Sequence, residues 1–128
     1  MCERAKSRFA HGSMLSEKGE IQRYIAESAA EIQAARLMTL DAARAMDEGD
    51  EARIEIALIK FWGARMLHNV IDRAIQVHGG LGLTSDTPLE FMYREARYAR
   101  IYDGPEAVHR MTVARRLLKD PVNGAPWA

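Results

Sequence analysis

A carboxylate set directly ahead of a helical run is the clearest chemical signal in the chain: Asp103-Gly104-Pro105. The helix dipole favours the ionised form of such a group and partial burial favours the neutral form, so together they can leave a usable base. An ordinary helix-start turn accounts for the same residues. Next to it, Glu106-Ala107-Val108-His109 has the Glu-x-x-His spacing of carboxylate di-iron bundles. That chemistry needs a second such pair and two more inward carboxylates. The chain has neither in a matching place, so no metal site is expected. His11, His68, His78 and His109 lack paired ligand spacing and read as capping, surface or partly buried side chains. Arg94, Arg97 and Arg100 could grip phosphates, but Glu90, Glu95 and Asp103 are interspersed. A solvated face or inter-subunit ion pairs is the stronger reading of that cluster on composition alone.

The elements that must position these groups are helical. The only prolines are Pro88, Pro105, Pro121 and Pro126, and the one double glycine is Gly79-Gly80, so the middle of the chain has few breaks. Over residues 16–46, Ile21, Ile25, Ile32, Ala35, Leu40 and Ala43 recur at helical spacing among charged residues, which predicts one long amphipathic helix. Gly49 suits the left-handed position past its end. Residues 51–77 are apolar on more than one face, so the second helix is expected to be buried on most sides, partly against another chain or domain. A third helix is predicted to begin at Pro88, capped by Asp86 or Thr87, with Leu89, Met92, Tyr93 and Ala96 on one side. Arg94, Arg97 and Arg100 would complement the dipole at its C-terminal end. A fourth helix starts at Pro105 and stops before Asp120-Pro121. No alternation long enough for a sheet is present. The expected fold is all-α, an antiparallel four-helix bundle forming a single domain over residues 1–128.

Composition narrows the partners. With 18 Lys+Arg against 18 Asp+Glu, the net charge is zero, which removes the long-range attraction that nucleic-acid or anionic-membrane binding relies on. Cys2 is the only cysteine, so no internal disulfide forms and a reducing, cytoplasmic setting is the default. A chain of 128 residues has room for a core but little for a deep, self-contained cofactor site.

Four segments, in order and spacing, carry a resemblance: 73–83 (RAIQVHGGLGL), 87–97 (TPLEFMYREAR), 100–105 (RIYDGP) and 114–118 (ARRLL). Together they resemble the C-terminal domain of the acyl-CoA dehydrogenase family, over residues 4–118, and are most similar to the branch that includes mammalian members ten and eleven. The resemblance implies α,β-dehydrogenation of an acyl-CoA thioester: a carboxylate removes the α-proton, hydride passes to FAD, and an electron-transfer flavoprotein reoxidises the flavin. Asp103 matches the family's base, usually a glutamate. Gln76, Gly79 and Gly80 match a Gln-x-His-Gly-Gly stretch that lies against the FAD of a neighbouring subunit in a homo-oligomer. Arg8 matches an arginine that reaches the FAD pyrophosphate. His11, Gly19, Pro105 and Ala107 depart from common family residues. The family's N-terminal helical and middle β-domains are not among these residues, so the isolated chain is expected to be inactive. A non-catalytic helical oligomerisation or interaction module that keeps the fold is the alternative.

Overall fold

The computed structural model describes residues 1–120. A short helix α1 (Cys2–Ser7) leads into strands β1 (Phe9–Ala10) and β2 (Ser13–Met14) and a 3-10 turn, Leu15–Glu17. Then come α2 (Gly19–Asp47), α3 (Arg53–Leu58), a π turn (Ile59–Gly63), α4 (Ala64–His78), a second 3-10 turn (Gly79–Leu83), α5 (Leu89–Tyr98) and α6 (Glu106–Lys119). The all-α bundle expected from the sequence is present. The fourth helix ends at Lys119, and Pro121, the expected stop, lies outside the described residues.

The end of α2 follows its sequence signal. Gly49 adopts φ +90°, its N–H donates to Met46 O at 3.0 Å, and the Asp50 N–H donates to Ala45 O at 2.9 Å. This pair of bonds is a Schellman closure and needs a residue free of the left-handed penalty. Ala52 (φ +46°) turns the chain into α3, with its N–H donating to Asp50 Oδ1 at 3.1 Å.

Four expectations need correction. The stretch 9–14 forms a two-stranded hairpin, pairing Phe9 with Met14 and Ala10 with Ser13. His11 (φ +52°) and Gly12 (φ +82°) supply the two left-handed residues of a tight hairpin turn. The second helix is not uniform, because a π turn separates α3 from α4. In α2 the buried line is Ser28, Ala35 and Ala42, spaced by seven, whereas Ile32 and Leu40 are about half exposed and Ala43 is exposed. Small residues on that line let α2 approach the α3–α4 rod closely, which leaves the larger side chains at the flanks. No side chain caps α5, although Asp86 or Thr87 was expected to.

Ion pairs and ring contacts fix the directions of the helices. Arg73 of α4 meets Glu27 and Glu31 near the start of α2, so α2 and the rod are antiparallel. Tyr93 meets His68, and Ala99 O accepts from Lys60, so α5 runs antiparallel to α4. Arg65 meets Glu106 and Arg116 meets Glu51, so α6 runs antiparallel to the rod as well. The two last helices therefore follow one another along the rod, α5 packing on α4 and α6 on α3. The core reflects this arrangement: Ile54, Ala57 and Val113 with Leu58, Phe61 and Leu117 at one end, and Ile71, Ala74 and Val77 further along. Most of the buried apolar residues are alanines, while Leu83, Phe91, Ile101 and Leu118 are more than half exposed. The apolar surplus expected on the second helix is modest by comparison, with Ile56 and Leu67 at 40% exposure.

Candidate functional site

A cleft of about 360 Å³ at the C-terminal end of α4 is lined by Arg4, Arg8, Ala10, Leu15 and the run from Gln76 to Leu81. Four of the five residues singled out from the sequence, Arg8, Gln76, Gly79 and Gly80, thus come together, although Arg8 and Gln76 are far apart in sequence. The hairpin makes this possible. It returns the chain so that the Leu15 N–H donates to Arg8 O at 2.9 Å, holding Arg8 beside α4.

The cleft suits an anionic ligand. Gly79 adopts φ +64°, ψ −146°, a region open to glycine alone. A Cβ added at Gly79 or Gly80 would meet no atom within 4 Å, so a ligand can approach this backbone closely. Gly82 plays a different part: a Cβ there would lie 2.9 Å from Ile75 Cα, so it lets the 3-10 turn lie flat on α4. Gln76 and Arg8 are exposed, and among the described residues neither side chain has a hydrogen-bond partner. Arg4 is the residue that sequence reasoning missed. Its Nε is buried with no partner although it lines the same cleft. A buried donor without an acceptor fits a phosphate oxygen at that position, as the diphosphate of FAD would supply. The signal was available as a second arginine one helical turn before Arg8.

Asp103 does not line this cleft. It sits on the α5–α6 connection, beside residues 60–65, whereas Gln76 lies eleven residues beyond Arg65, roughly 16 Å along the helix axis. Asp103 (φ +51°) and Gly104 (φ +88°) form a left-handed pair that turns the chain into α6. The Asp103 carboxylate is exposed and has no partner among the described residues, while its backbone oxygen lies 3.1 Å from His109 Nε2.

The connection is held by charge. The Glu106 carboxylate takes two hydrogen bonds from Arg100 (2.9 and 3.2 Å) and two from Arg65 (3.2 and 3.3 Å), and pairs with Arg110 at 3.2 Å. These guanidinium groups, Arg100 first and Arg65 next, hold its carboxyl well below the usual carboxylate range. The Glu106 N–H also donates to Arg100 O at 3.1 Å, so backbone and side chain close the same loop. Arg100 therefore lies past the end of α5 and binds Glu106, where the sequence had it complementing the α5 dipole. Arg94 pairs with Glu90 at 2.8 Å, so that part of the cluster is an intrahelical ion pair. Glu106 and His109 are committed to these partners, and no group of three His, Cys, Asp or Glu side chains suited to a metal occurs among the described residues.

The fold is an all-α helical domain with an arginine- and glycine-lined cleft at one end and an exposed carboxylate on a loop part-way along. The family model described as "Acyl-CoA dehydrogenase, C-terminal domain" matches residues 1–118, and the chain belongs to that family. It is 45% identical over 117 residues to a Mycobacterium tuberculosis protein named "Probable acyl-CoA dehydrogenase FadE2", covering 90% of this chain and 29% of that one. It is 46% identical to mouse acyl-CoA dehydrogenase family member 10, over 94% of this chain and 11% of the relative. The structure of butyryl-CoA dehydrogenase from Megasphaera elsdenii superposes with a TM-score of 0.88 at 28% identity, over 91% of this chain and 30% of that one. The chain thus spans less than a third of the length of these proteins.

Proposed function

We propose that this chain supplies the C-terminal helical domain of an FAD-dependent acyl-CoA dehydrogenase, with Asp103 as the base that removes the substrate α-proton. The convergence of Arg8, Gln76, Gly79 and Gly80 on one cleft is the observation that carries this reading. FAD, when bound, accepts the β-hydrogen as hydride and passes its electrons to an electron-transfer flavoprotein. Arg8 and Arg4 would hold the diphosphate, Gln76 would offer a donor and an acceptor, and the glycine backbone would lie against the cofactor. The thioester acidifies the α-carbon, and the Asp103 carboxylate accepts the proton in one step as the α C–H bond breaks.

Cleft and base lie far apart on one chain, which supports a homo-oligomer in which the cleft serves the flavin of a neighbouring subunit. The exposed apolar side chains Phe91, Ile101 and Leu83 support burial against further domains or copies. The same surface favours a second reading, a helical association module without chemistry. No helix among the described residues is long and apolar enough to cross a membrane. A cytoplasmic role in acyl-CoA metabolism suits a chain whose one cysteine is free and exposed. The chain by itself is inactive in this account, since the acyl pocket needs walls it does not provide. In the complete flavoprotein that carries this domain, Arg8→Ala should purify with less flavin; a fully flavinated Arg8→Ala protein would remove the cleft from the cofactor site and favour the association module.

A further inference from the structure

We propose that Lys60 and Glu106 are positioning residues that hold the Asp103 loop from its two ends, and that the π turn exists to bring Lys60 to it. The inference rests on the reading of Asp103 as the base.

The loop has two anchors. At its start, Lys60 Nζ donates to Ala99 O at 2.9 Å and sits 4.1 Å from the centroid of the Tyr102 ring. An ammonium on a carbonyl at the end of α5 also meets the negative end of the helix dipole. At its finish, Arg65 and Arg100 grip Glu106 in the first turn of α6. Both rod residues that reach the loop are five apart: Lys60 lies within the π turn, and Arg65 lies two residues past its end. In an uninterrupted α-helix, side chains five apart point roughly 140° away from each other. The wider i→i+5 turn brings such a pair onto one side of the rod. Without it, one of the two anchors would face away from the loop. Between the anchors, only Asp103 and Gly104 take left-handed backbone, so fixing the ends fixes where the carboxylate emerges.

Amide hydrogen exchange on the full chain tests this directly. Lys60→Met keeps the aliphatic stem and removes the ammonium, and Glu106→Gln keeps the shape and removes the charge. Each should make the amides of Ile101, Tyr102 and Glu106 exchange about tenfold faster, while α2 amides near Ala35 are unmoved. Lys60→Arg should restore protection. In the complete flavoprotein, Lys60→Met should slow substrate-driven flavin reduction and leave substrate affinity unchanged. Unchanged loop exchange in both Lys60→Met and Glu106→Gln overturns the positioning role, as does a loss of substrate affinity equal to the loss of rate. If Asp103→Asn leaves flavin reduction intact while loop exchange responds as expected, the functional reading fails and the anchoring of the loop stands.

Discussion

Replacing Arg73 by methionine removes the principal polar tie between α2 and α4. The guanidinium bonds Glu31 through two hydrogen bonds of 2.8 and 2.9 Å, reaches Ser28 Oγ at 3.3 Å, and pairs with Glu27 at 3.3 Å. Its side chain is 16% exposed and that of Glu31 26%, so solvent screens the pair only in part. Exposed pairs are worth ~0–1 kcal/mol, and breaking a buried one costs ~3–5 kcal/mol because the partner is left uncompensated. An intermediate site should cost about 2 kcal/mol, a 30-fold change in the folding equilibrium. For a domain of this size the corresponding fall in Tm is about 8 °C, read from circular dichroism at 222 nm. Methionine keeps most of the stem's apolar contact, so the loss reports the charge. A companion Glu31→Gln variant should show a smaller loss, and the double variant less than the sum of the two. A Tm change below about 2 °C for Arg73→Met would refute the idea that this pair ties α2 to the rod.

Gly82→Ala should destabilise the chain by about 1–3 kcal/mol in denaturant unfolding, since its methyl would enter the space held by the Ile75 backbone. Wild-type stability there would show that the 3-10 turn can move off α4. Acid should act through Glu106, whose folded carboxyl is held below its unfolded value of 4.5 by Arg100 and Arg65. Its contribution is fully present above that value and is lost as pH falls below it. Stability measured from pH 7 to pH 3 should therefore drop, and Glu106→Gln should flatten that limb; an identical acid limb in the variant would contradict the assignment.

How much of this was legible follows from where the information lies. Gly49 announced the end of α2 because left-handed closure is a local demand, and Pro105 announced α6 because proline's fixed φ suits a helix start. Arg8 and the Gln76 to Gly80 run were legible as a resemblance, and the hairpin brings them together in space. The hairpin itself was hidden, because two-residue strands show no alternation and His-Gly is a weak turn signal beside Asn-Gly. The π turn was hidden because residues 51–77 are apolar on more than one face, so an extra residue in one turn leaves no clear break in the pattern. Ile32 and Leu40 were misplaced because periodicity finds a face without saying whether small or large residues will sit at the contact. Arg4 and the grip of Arg65 and Arg100 on Glu106 depend on contacts between separate elements, which spacing along one helix does not encode.

The central claim is that Asp103 takes the substrate proton. Asp103→Asn keeps the size of the side chain and removes its basicity. In the complete flavoprotein bearing this domain, stopped-flow measurement of flavin bleaching by an acyl-CoA should show full flavin content and no substrate-dependent reduction. Bleaching at the wild-type rate in Asp103→Asn would contradict the account.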